Sequence, residues 1–133
     1  LVNQSVMNPL DTPFLLLNSS DLERALKILA ADPVIDILIL HCSVGMLKRI
    51  SQGTGQAFRE FKECIVSFIK ENRTRKPLVL ALMDQNYSGG LQEYATQLRE
   101  ANITVYDSLR DACRSLNRFI SYNESMARMS DDR

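Results

Sequence analysis

The chain has no tryptophan, one histidine and only five glycines among its 133 residues. A lone His41 cannot build a zinc centre, and Cys42, Cys64 and Cys113 are too scattered to offer zinc or iron–sulfur ligand spacing. Three well-separated cysteines also exclude a disulfide framework and point to a reducing, cytoplasmic setting. There is no excess of charge of either sign: Lys+Arg and Asp+Glu both number 16. Nothing in that balance argues for nucleic acid or an anionic membrane as a partner. No apolar run approaches the roughly 18 residues that a membrane-spanning helix requires. The start, Leu1-Val-Asn-Gln-Ser5, lacks the basic opening and hydrophobic stretch of a secretory signal, and it lacks an initiator methionine. These residues are expected to be one domain, 1–133, cut from a longer multidomain protein.

What the chain does contain is a repeated strand-then-helix cadence. Short runs rich in Val, Ile and Leu recur at Ile35–Leu40, Pro77–Met83 and Ile103–Tyr106, each followed by an amphipathic stretch. Such runs read as parallel strands buried on both faces and joined by crossover helices. A further extended segment is expected within residues 9–17, its limits blurred by Pro9 and Pro13. Ser20-x-x-Glu23 reads as a capping box opening a helix to about Ala31, with Leu22, Ala25, Leu26 and Leu29 on one face. Residues 42–55 read as a loop, and a helix from Gln56 to Asn72 should bury Phe58, Phe61, Ile65 and Phe68. After the second strand come a turn, Asp84–Gly90, and a helix carrying Leu91, Tyr94, Ala95 and Leu98. Ser108-x-x-Asp111 opens the last helix, with Leu109, Ala112, Cys113, Leu116 and Ile120 on its apolar face. The polar tail, 123–133, is expected to fray. The class is therefore α/β: a three-layer sandwich with a parallel sheet of four or five strands and helices on both faces.

The ordered set Asn8-Pro-Leu-Asp11, Asp32-Pro-x-Ile-Asp36 before a strand, Lys76-Pro77 before the next, and Val105-Tyr-Asp-Ser108 before the final helix carries a resemblance. It resembles the flavodoxin-like CoA-ligase domain of NDP-forming acyl-CoA synthetases (acetate–CoA ligase, ADP-forming) and, more distantly, of succinyl-CoA synthetase. The resemblance covers about residues 8–122. It implies a parent enzyme that converts acyl-CoA, phosphate and ADP to acid, CoA and ATP, or the reverse, using magnesium. Within that parent, separate CoA-binding, phosphohistidine and ATP-grasp domains would be the partners. This module would pack beside the phosphohistidine domain, bind no cofactor alone, and oligomerise only through the parent. The succinyl-CoA synthetase version has paired glycines where Cys42-Ser43-Val44-Gly45 stands, and an Arg and a Glu where Ala81 and Met83 stand. Both departures remove groups suited to phosphate and favour the NDP-forming branch, or a relative whose activity is reduced or altered.

Open parallel sheets meet ligands and partners where their strands end. The candidates at that edge are His41, Cys42, Ser43 and Gly45 after the first core strand; Asp84, Gln85, Asn86, Gly89 and Gly90 after the second; and Asp107 and Ser108 after the third. Each has a plain structural explanation beside the functional one. His41 is a catalytic candidate or a packed or interface histidine, and the resemblance puts the phosphorylated histidine in another domain. Cys42 is a nucleophile only if a cation or helix N-terminus lowers its pKa, and otherwise a small hydrophobe. Ser51-Gln-Gly-Thr-Gly55 and Tyr87-Ser-Gly-Gly90 precede helices and either cradle an anion or simply turn the chain. Neither matches a recognised phosphate loop. Asp107 is expected to cap the last helix. Asp84 is the strongest candidate for a polar contact across the edge. No catalytic set is legible, which leaves two roles: an interaction domain of a synthetase, or a stand-alone module binding a small anion or metabolite.

Overall fold

The computed structural model describes residues 9–11, 15, 18–52, 54–72, 76–84 and 90–131. Their order is α1 (Ser19–Ala31), β1 (Leu38–Ser43), α2 (Val44–Ile50), α3 (Gln56–Glu71), β2 (Leu78–Met83), α4 (Leu91–Glu100), β3 (Val105–Tyr106) and α5 (Leu109–Asp131). The three strands form one parallel sheet in the order β1-β2-β3. Leu38 pairs with Leu78 and Ser43 with Met83, so β1 and β2 are in register over their whole length. Leu80 and Ala81 pair with Val105 and Tyr106.

Alternation along β2 decides which helix goes where. Leu80 and Leu82 face a large core with Leu22 and Leu26 of α1, Leu47 of α2, Phe58 and Phe68 of α3, and Leu98 of α4. Val79 and Ala81 face the opposite way, toward Ala112 and Leu116 of α5. Helices thus cover both faces of the sheet, and the central strand is buried on both, as its unbroken run of apolar residues requires.

Phe58, Phe61, Ile65 and Phe68 are all buried, as their helical spacing predicts. The Phe58 ring lies flat on Tyr94 of α4, with centroids 3.7 Å apart and planes 7° apart. This stack ties together the helices that follow β1 and precede β3. Lys27 of α1 reaches Glu23 at 2.8 Å and Glu71 of α3 at 2.9 Å. Those carboxylates hold the Lys27 pKa above its ordinary value, while Lys27 holds Glu71 below its own. The link therefore weakens as acid protonates Glu71 below the ordinary carboxylate range, and again as strong alkali removes the Lys27 proton. It lies in solvent, where salt screens it.

Close approach on the second face depends on small residues. Ala81 and Ala112 are both fully buried where α5 sits on β2. Ala81→Leu should wedge the helix from the sheet and destabilise by about 1–3 kcal/mol, read by urea unfolding. Selective loss of amide protection in α5 would identify the cause; an unchanged midpoint would contradict the close packing.

Several expectations change. Three strands, not four or five, stand among the described residues. Most of the expected segment 9–17 lies outside them; within it, Asp11 makes an isolated bridge and Leu15 packs on the core. The first core strand starts at Leu38 rather than Ile35, because the Asp32 side chain accepts the Val34 N–H at 2.9 Å and turns the chain there. Asn18, not Ser20, caps α1, its side chain accepting the Ser20 N–H at 3.0 Å, while Glu23 turns to Lys27. Residues 42–55 are not all loop: β1 runs to Ser43, and α2 follows at once, buried through Val44, Gly45 and Leu47. Cys113 is exposed rather than core. Residues 123–131 are helical, continuing α5 to Asp131. Side chains there bond back to the previous turn, Asn123 to the Phe119 carbonyl at 2.7 Å and Ser125 to that of Ser121 at 2.8 Å.

Candidate functional site: the carboxyl edge of the sheet and the uncovered face beside it

The carboxyl ends of the three strands carry most of the expected site residues, but most of these have structural duties. Ser43 caps α2, its hydroxyl accepting the Met46 N–H at 3.3 Å. Gly45 is buried in the first turn of that helix. Gly90 begins α4 without a side-chain cap. The Lys48 side chain passes so close over Gly90 that any Cβ there would collide with its Cε and Nζ. Those atoms are the far end of a flexible side chain that can swing aside, so the contact places Lys48 beside Gly90 without demanding glycine there. Asp84, one residue past the end of β2, is half-buried and, like Lys48, is not without a partner. Ser43, Gly45, Lys48 and Gly90 therefore share one neighbourhood at this edge, and Asp84 follows Met83, the β2 partner of Ser43. Gln85, Asn86 and Gly89 lie outside the described residues.

The third strand's edge differs from expectation. Asp107 does not cap α5; it pairs with Arg99 of α4 at 3.3 Å. Ser108 is the cap, accepting the Asp111 N–H at 3.1 Å and donating its hydroxyl proton to the Asp111 carboxylate at 2.7 Å. Ser108-x-x-Asp111 thus opens the helix as expected, with the cap supplied by the Ser108 hydroxyl. Likewise, Ser51-Gln-Gly-Thr-Gly55 is turn chemistry. Ser51 donates to the Leu47 carbonyl at 2.8 Å, Thr54 donates to the Ser51 carbonyl at 2.7 Å, and Gly55 takes a φ of 70°. That left-handed value favours glycine.

Cys42 and His41 separate cleanly. Cys42 points into the core, and burial pushes its thiol up to about 12. At neutral pH it is a protonated, inaccessible thiol, the opposite of an activated nucleophile. Cys64 is also buried and is raised to about 11, chiefly by burial, with Glu23 adding to the effect. Only Cys113 is exposed. In native protein at pH 8, Ellman's reagent should therefore titrate one thiol rapidly, and all three after denaturation. Fast reaction of two or more native thiols would contradict this burial. His41 alternates to the other face of β1 and is exposed there.

Beside His41 lies a surface that the sequence reasoning missed. Ile39 of β1 is 43% exposed, because α5 covers β2 and β3 but leaves this strip of the edge strand bare. On α5, Leu116 packs against the sheet, and the same helical face continues outward as Phe119, Ile120 and Met126. Phe119 is 62% exposed. In the sequence Leu116 and Ile120 share one apolar face of the last helix; only Met126 falls in the tail expected to fray, which hides the outward continuation of that face. Apolar groups that share one helical face, as Phe119, Ile120 and Met126 do, mark an interaction surface more often than scattered single ones do.

No group of three or more His, Cys, Asp or Glu among the described residues is placed to hold a metal ion. No described helix is long and apolar enough to cross a membrane. A groove of about 420 Å³ lies along α1, between Ser20, Glu23, Arg24, Lys27, Ile28 and Ala31, remote from the strand ends. Comparison with known protein families, curated proteins and solved structures finds no match to this chain.

Proposed function

We propose that this chain is a structural and interaction module of an NDP-forming acyl-CoA synthetase, docking beside that enzyme's phosphohistidine domain. The observation that carries the docking role is a set of exposed apolar side chains on the α5 side of the sheet: Ile39 on β1, and Phe119, Ile120 and Met126 along the helical face that continues past Leu116. The resemblance in the ordered motifs from Asn8 to Ser108 supplies the enzyme class and the partner. In this reading CoA, ADP or ATP, phosphate and magnesium belong to the neighbouring domains, and the sheet edge holds shape rather than chemistry. The engaged positions of Ser43, Asp107 and Ser108 support that assignment. The module works in the cytoplasm, within a larger polypeptide or complex.

The competing role is a stand-alone module that binds a small anion or metabolite at the edge around Ser43, Asp84 and Gly90. Thermal-shift titration separates the two. Against CoA, acetyl-CoA, ADP, ATP and phosphate, the isolated chain should show no shift. A ligand that bound only the folded state would add about 2.7 kcal/mol of stability at a hundredfold excess over its Kd. Calorimetric titration with the phosphohistidine domain of the synthetase from the same source should then show saturable binding. A saturable shift with any of the five ligands, together with no binding to that domain, would overturn the docking role.

A further inference from the structure

We draw no further inference here: the strongest candidate, the exposed apolar face of α5 at Phe119, Ile120 and Met126, belongs to the docking surface already described, and nothing in the structure shows which additional partner covers it.

Discussion

Phe58→Ala should cost about 3–5 kcal/mol of folding stability, the range expected for truncating a buried phenylalanine. Phe58 is 2% exposed and fills the space between α3 and the sheet, with Tyr94 stacked on its ring. Removing it opens a cavity and also strands the Tyr94 ring that lies face to face on it. Domains of this size are typically stable by only about 5–15 kcal/mol, so the variant should sit near the edge of folding. Urea denaturation measures it. Phe58→Leu provides the control: it keeps most of the apolar volume and should recover a large part of the loss. If Phe58→Ala unfolds within 1 kcal/mol of the parent chain, the α3–α4 packing described here is wrong.

Under the docking role proposed above, Ile39→Lys and Phe119→Lys should each weaken binding to the phosphohistidine domain at least tenfold, or about 1.4 kcal/mol. Neither side chain is buried in the free module, so each variant should keep its stability within about 0.5 kcal/mol. Lysine is moreover a residue that edge strands commonly carry. A charge placed in the centre of a desolvated contact is costly, whereas the same charge in water is nearly neutral. Separating the two readouts is what makes the test informative. Normal melting with lost binding places the interface on this face; normal melting with undiminished binding by both variants removes it from there.

Much of this architecture is legible from local pattern. The buried side of α3 follows from four apolar residues at helical spacing, and β2 from an unbroken apolar run bounded by Pro77 and Asp84. What escapes is decided by tertiary neighbours. Val44–Ile50 contains a glycine and spans only two turns, so propensity alone favours a loop. It is helical because Ser43 caps it and the core takes Val44 and Leu47. Cys113 stands next to Ala112, and a rotation of one residue around the helix separates core from solvent. The second half of α5 reads as tail because its serines, asparagines and arginines are polar; several of them bond to backbone carbonyls of the preceding turn. At the strand ends the residue types were right but their duties were not. A short polar side chain there serves a cap as readily as a ligand, and only the hydrogen-bond partner distinguishes them.

The length of α5 has a dynamic consequence. Its 23 residues make a rod of about 35 Å, seated on the sheet through Ala112 and Leu116 and unsupported beyond them. Amide protons in the seated turns can exchange only when the sheet face opens, whereas those near Met126 need only local unwinding. One continuous helix should therefore keep two clocks. A partner that grips the outer turns would slow the fast clock toward the slow one, turning a gradient of exchange along α5 into a record of whether the module is docked.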